Sequence, residues 1–231
     1  MDFDALVSSY YDDYYSCVHG GSATGRAAAL MQKHLETKRA RSDHFSRVLE
    51  IGAGTMQHFE FIEHGFDTYI ASDIRKIPQT GDWQEWSFGT NPSHDGKFLA
   101  QFDATKIPFD DSSFDRILAT CLLLHLPQPV DALRDWVRAL RPGGVIDLLI
   151  PCEPGLALRT YRKFVSRPRS KRLGFEYFDL VNALDHKNYT ASMMEILLNF
   201  DPTVEVEFTW RPFNRIPSWN LNLQMVAHLT K

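Results

Sequence analysis

Cysteine is scarce and odd in number: Cys17, Cys121 and Cys152 lie far apart along 231 residues. Such usage fits reduced thiols in a cytoplasmic protein and excludes a disulfide scaffold. Long hydrophobic runs are missing too. The longest apolar stretches, 117–126 and 145–151, fall short of the roughly 20 residues a membrane helix needs, so no membrane span is expected. The opening MDFDALVSSYYDDYY is acidic and aromatic without an apolar core run, unlike a signal peptide. Neither sign of charge dominates: the formal net charge is −4, and bulk electrostatics name no partner. There is no fixed-period repeat and no low-complexity tract. No His/Asp or Cys group has the local spacing of metal ligands, so no metal is expected.

What is present is enough apolar residue, 44%, to bury one substantial core, which points to a single domain over residues 1–231. Strand patterns fall at 47–51, 67–73, 97–103, 114–120 and 145–151, rich in apolar residues on both faces. Helical patterns lie at 25–36, at 56–64 behind Thr55 and before Gly65, and at 129–141, where Val130, Leu133, Val137 and Leu140 share a face. Thr190 is placed to cap a helix through Phe200. The strands 203–210 and 221–230 follow, joined by a connection too short for a crossover helix and therefore antiparallel. The expected architecture is α/β: a Rossmann-like, seven-stranded, mostly parallel doubly wound sheet with a C-terminal antiparallel hairpin. Residues 1–45 read as a helical lid and 152–190 as an insertion after the fifth strand. The stretch 75–96, with two tryptophans, fits no simple element.

The segment RVLEIGAGTMQHF (47–59) carries the functional signal. A dinucleotide fingerprint needs three glycines, and here Gln57 stands near where the third would be. Glu50 is a charge inside an apolar strand, and beside a phosphate it would repel the ligand. The loop Gly52-Ala53-Gly54 therefore suits a neutral or cationic nucleoside. Asp73 closes the second strand 19 positions after Gly54, the usual place for a carboxylate that takes ribose hydroxyls. Asp103 closes the third. The short-chain nicotinamide enzymes on the same fold need Tyr-x-x-x-Lys, which this chain lacks.

Glu50-x-Gly52-x-Gly54, Asp73, Asp103-Ala104 and "IPFDDSSFDRILATCLLLHLPQP…LRPGG" together resemble the class I S-adenosylmethionine-dependent methyltransferases, chiefly their small-molecule branch, over about residues 45 to 150. The resemblance implies S-adenosylmethionine as cofactor. Gly52, Ala53 and Gly54 would line its amino-acid moiety beside Glu50, Asp73 would hold the ribose, and Ile74, Asp103 and Ala104 would meet the adenine. Cys121 and Leu122 would lie beside the sulfonium. Tyr11, Tyr14 and His19 of the N-terminal segment would line the pocket, and Arg26 would clamp the cofactor's carboxylate; packing tyrosines and a solvated arginine are the alternative.

His125, after the fourth strand, is a candidate general base, or else a histidine packed at a helix entrance. In DHKNYTASMMEIL (185–197), a motif similar to a helix entry in this branch, His186, Asn188 and Tyr189 would turn toward the mouth of the site. Cys121 and Cys152 read as ordinary thiols, because Cys121 lacks the preceding proline of a cytosine-methyltransferase nucleophile and Pro151-Cys152 follows the wrong strand. RTYRKFVSRPRSKR (159–172) holds seven basic residues and no acid. It is either a solvated face or a landing strip for an anionic acceptor. The expected acceptor is a small or a lipid- or glycan-linked molecule taking the methyl group on O or N. RNA is the alternative, and a cofactor-binding protein without turnover a third. Either a monomer or a homodimer fits.

Overall fold

The computed structural model describes residues 2–11, 32–86 and 95–231. Eight strands form one sheet: β1 (His44–Ile51), β2 (Gly65–Asp73), β3 (Gln84–Glu85), β4 (Gly96–Gln101), β5 (Phe114–Thr120), β6 (Leu140–Pro151), β7 (Glu205–Arg211) and β8 (Gln224–Thr230). Their spatial order is β3-β4-β2-β1-β5-β6-β8-β7. The first six are mutually parallel, while β8 runs antiparallel to both β6 and β7. The chain winds outward from β1 in one direction and from β5 in the other, so the carboxyl ends of β1 and β5 flank the switch point where open α/β sheets bind ligands. The expected doubly wound sheet and terminal hairpin are both present, and the two-residue β3 adds an eighth strand in the stretch that fitted no element.

Helices are α1 (Phe3–Ser9), α2 (Pro129–Ala139), α3 (Leu156–Tyr161), α4 (Arg167–Arg172), α5 (Phe178–Asp185) and α6 (Thr190–Asn199), with a π-helical turn, Arg162–Ser166, joining α3 to α4. On one face of the sheet Leu133 and Trp136 of α2 and Met193 and Leu197 of α6 pack on Leu49, Ile117, Ile146 and Ala227. On the other face Leu35, Ile77 and Trp83 cover Val48, Tyr69, Leu118 and Val226. The loop tryptophan Trp83 is thus core. Among the described residues no helix is long and apolar enough to cross a membrane.

Three local expectations are corrected. No α-helix follows β1. Met56 takes a left-handed φ of +62°, which ends any right-handed helix there, and only a 3₁₀ turn, Phe59–Phe61, forms. Of the helix expected over 25–36, residues 25–31 lie outside the described residues, and Lys33–Lys38 forms a 3₁₀ turn. Thr190 does not cap α6. Its hydroxyl donates to Pro151 O (3.0 Å) and accepts from Glu153 N (2.7 Å), binding the start of α6 to the end of β6.

The reason 56–64 forgoes a helix lies beneath it. Arg116 of β5, fully buried, donates to both oxygens of Glu36 (2.7 and 2.9 Å), to Asp147 of β6 (2.8 Å) and to His64 Nε2 (2.6 Å). His58 donates to Glu36 (2.7 Å), while Arg39 and His228 complete the shell of Asp147. Seven mostly buried polar side chains thus pair with one another, as buried charge requires, with His58 Nδ1 and His228 Nε2 left without a partner among the described residues. The segment after β1 is shaped to deliver His58 and His64 to them.

Candidate active site

The loop after β1 carries φ of +71° at Gly52 and +53° at Gly54, values that favour glycine. A Cβ on Gly52 would meet Leu122 at 3.0 Å, whereas one on Gly54 would meet nothing within 4 Å. Gly54 therefore offers bare backbone to open space, a cradle a side chain would fill. Ala53 N–H bonds Ser72 O (2.9 Å), tying the loop to β2. Asp73 reaches across: Oδ2 accepts from Gly54 N–H (3.0 Å) and Oδ1 from Arg75 N–H (2.9 Å). Each oxygen keeps a lone pair for a further donor. The next residue, Ile74, is 65% exposed, an apolar face beside that carboxylate. Asp103 is exposed, with Oδ1 accepting from Thr105 N and Oγ1 (both 2.8 Å), while Ala104 is buried against Trp136, whose indole donates to its carbonyl.

Glu50 stands apart from this surface. It is fully buried; Oε2 accepts from Tyr69 (2.7 Å) and Oε1 has no hydrogen-bond partner among the described residues. Burial raises its pKa, with the charge of His58 and the Tyr69 bond opposing. Glu50 thus supports the loop from behind and presents no carboxylate to a ligand. Tyr14, His19 and Arg26 lie outside the described residues.

Beyond β5 the chain turns through Cys121, also at positive φ, into the 3₁₀ turn Leu123–His125. The backbone of Lys187 and Asn188 donates to Leu124 O, and the Asn188 amide to Leu126 O (2.7 Å). These bonds pin the end of α5 against the turn, and two histidines 61 positions apart come together. His125 Nδ1 lies 2.8 Å from Asp185 Oδ2, a charge-pair distance without hydrogen-bond alignment, and that same oxygen accepts from the Tyr11 hydroxyl (2.5 Å). His186 Nδ1 donates to Glu153 (2.8 Å), whose other oxygen pairs with Arg162. The imidazoles meet edge to face with centroids 4.9 Å apart.

The electrostatics follow from these pairs. Burial raises the Asp185 carboxyl, but the nearness and charge of His125 and the Tyr11 bond outweigh it and hold it at about 2. Burial lowers the pKa of His186 against the pull of Glu153, keeping the ring neutral with Nε2 as its open acceptor. Burial pushes the Cys121 and Cys152 thiols up to about 12, so neither is a thiolate nucleophile.

Residues 49–147 match the family model described as a methyltransferase domain. Over that segment the chain is similar to methyltransferase domains. A demethylmenaquinone methyltransferase from Staphylococcus epidermidis is 38% identical over 72 residues, 29% of this chain. That match spans only 30% of the relative's own length. Two solved structures share the fold over nearly the whole of both chains. An S-adenosylmethionine-dependent methyltransferase from Thermotoga maritima has TM-score 0.58 at 17% identity, covering 98% of this chain and 99% of that one. The N-methyltransferase NodS from Bradyrhizobium japonicum, solved with S-adenosyl-L-homocysteine, has TM-score 0.58 at 14% identity, covering 100% and 99%.

A cavity of about 410 Å³ opens next to Glu153, between α3, the π turn and α5. Arg162 and Arg167, two of its lining cations, are paired with Glu153 and Asp179. Arg159 and Lys163 also line it and have no carboxylate partner among the described residues. The basic run is therefore partly paired: its first half faces the cavity, while Lys171 and Arg172 do not line it.

Sequence reasoning missed Asp185 and Glu153, and it named Tyr11 for the pocket but not as the partner of Asp185. It also missed that His125, Asp185 and His186 bring potential ligand atoms within 4.8 Å of one another, a grouping no local spacing could show. In it Asp185 Oδ2 accepts from Tyr11 and lies 2.8 Å from His125 Nδ1, and His186 Nδ1 donates to Glu153.

Proposed function

We propose that this protein binds S-adenosylmethionine at the Gly52–Gly54 loop and methylates an oxygen or nitrogen of a small acceptor carrying an anionic group. The observation behind this reading is convergence at one switch point. The open glycine loop, the Asp73 carboxylate and the exposed Ile74 lie on one side of it, and two carboxylate-anchored imidazoles beside a cationic cavity lie on the other. Asp73 is suited to ribose hydroxyls, Ile74 to a flat base, and Gly54 to a group that must approach the backbone. Asp103, and Tyr14 and Arg26 of the N-terminal segment, are further candidates for that ligand.

S-adenosylmethionine, when bound, supplies a methyl group activated by positively charged sulfur. The protein's own part is placement and proton handling. With Nδ1 beside the Asp185 carboxylate, His125 accepts the acceptor's proton at Nε2. His186, neutral and adjacent, is a second acceptor for that proton. Arg159 and Lys163 draw in and orient the anionic group.

The test is calorimetry with S-adenosylhomocysteine on the wild type and Asp73→Ala. Two charge-assisted bonds to ribose hydroxyls, each worth about 1.5–3 kcal/mol, predict at least a hundredfold loss of affinity. Equal affinity removes Asp73 from the site. Labelled-methyl transfer into RNA, lipid, glycan and small-molecule fractions then names the acceptor class, and transfer into RNA alone would overturn the small-acceptor reading.

A further inference from the structure

The cofactor side and the acceptor side of the site are joined by a residue that belongs to neither. Tyr11 follows α1. Its neighbour Tyr10 is 4% exposed and packs its ring on Phe175 (5.1 Å) and Phe178 (6.2 Å), with Val181 in the same cluster. That cluster fixes the backbone of the N-terminal segment against α5, the helix that ends in Asp185. From there Tyr11 points its hydroxyl to Asp185 Oδ2 at 2.5 Å, and its ring lies 6.4 Å from His125, edge to face. On its other side the guanidinium of Arg75 sits 4.6 Å from the ring centroid. Arg75 N–H in turn holds Asp73 Oδ1, the carboxylate that closes the glycine loop.

We propose that Tyr11 is a positioning residue that makes the readiness of His125 as a base depend on the state of the cofactor loop. This rests on the reading of His125 as the base. An imidazole works as a base at Nε2 only when Nδ1 carries the proton, and a carboxylate held beside Nδ1 selects that tautomer. Where such a carboxylate is replaced by its amide in serine proteases, the geometry survives but turnover falls about ten-thousandfold. Here the carboxylate is aimed by a hydroxyl whose ring is held by the arginine two residues beyond Asp73. A ligand that moves or stiffens the 73–75 turn moves Arg75, the ring, and with them the hydrogen bond on Asp185. Proton abstraction is thereby linked to loading of the cofactor side, through one side chain and without a large movement.

The experiment reads the tautomer of His125 directly, by long-range proton–nitrogen NMR of histidine-labelled protein, with and without S-adenosylhomocysteine. Wild type is expected to hold His125 as the Nδ1–H form. Asp185→Asn is expected to lose that form, Asp185→Glu to restore part of it, and Tyr11→Phe to give a mixture. Arg75→Met, which keeps Tyr11 and Asp185, is expected to lose the response of His125 to added S-adenosylhomocysteine. In kinetics Tyr11→Phe should lower kcat about tenfold with cofactor KM within twofold. The proposal is overturned if Tyr11→Phe leaves the tautomer and kcat unchanged, or if S-adenosylhomocysteine binds the wild type and the His125 signals do not respond. Absence of any binding would instead sink the cofactor reading, and the ligand-free tautomer comparison would still decide the role of Tyr11.

Discussion

Replacing Glu36 with glutamine should cost this fold about 3 kcal/mol near neutral pH, and the loss should fade in acid. Glu36 is nearly buried, with Oε1 accepting from His58 and Arg116 and Oε2 from Arg116 again. Burial raises its carboxyl, but the His58 bond and the charge and bonds of Arg116 outweigh that and bring it from 4.5 to about 2. A shift of that size corresponds to about 3 kcal/mol, in line with the ~3–5 kcal/mol lost when one partner of a buried ion pair is removed. Glutamine also turns a donor toward donors, leaving Arg116 with Asp147 as its one carboxylate among the described residues, which Arg39 already shares. For a chain of this size the melting point should fall by about 10 °C. Because the folded pKa is depressed, the contribution is complete above about pH 4.5 and is lost as pH falls toward about 2. Thermal melts and urea midpoints from about pH 7 to about pH 3 should therefore show wild type and Glu36→Gln converging. A gap below about 1 kcal/mol at neutral pH, or one unchanged in acid, would refute the assignment of Glu36 as the buried counter-ion.

Two further outcomes concern turnover. His125→Ala should lower kcat about a hundredfold and leave S-adenosylhomocysteine affinity within twofold in calorimetry; a fall of less than about threefold would make His125 a packing residue. Arg159→Ser with Lys163→Ser should raise the acceptor KM and flatten its salt dependence, because these two cations face the cavity without counter-ions among the described residues. Lys171→Ser with Arg172→Ser, which do not line it, should leave both unchanged, and an equal effect from the two pairs would show a diffuse field instead of a site.

The sheet was legible because buried parallel strands write near-continuous apolar runs: the expected 114–120 coincides with β5, and the antiparallel ending followed from a short connection. The glycine loop was legible for a similar reason, since its signal is local. What escaped was either long-range or in conflict with a local pattern. The stretch 56–64 has helical spacing, but His58 and His64 are needed by residues at 36 and 116, and tertiary demand overrode the period. His125 and His186 were each noticed, yet their carboxylates, Asp185 and Glu153, are recognisable only once 187–188 has docked on the turn after β5. One signal went unused. Arg116 in FDRILAT and Asp147 in VIDLLIP are lone charges within apolar strands, the pattern that drew attention to Glu50. Reading all three together on neighbouring strands would have pointed to a buried polar network.

The place of β8 sets the order in which the molecule can be completed. It is the last of the eight strands to be synthesised, yet it lies inside the sheet, almost wholly buried, with β6 on one side and β7 on the other. Until residues 224–230 emerge from the ribosome, β6 keeps an open edge, β7 has no neighbour, and Asp147 waits for His228. A nascent chain halted before that point displays a ladder of unpaired backbone groups flanked by apolar side chains, the kind of edge that invites pairing with another molecule. Commitment to the native state is therefore held back to the final strand, and the hazards of this fold fall in the interval before it arrives.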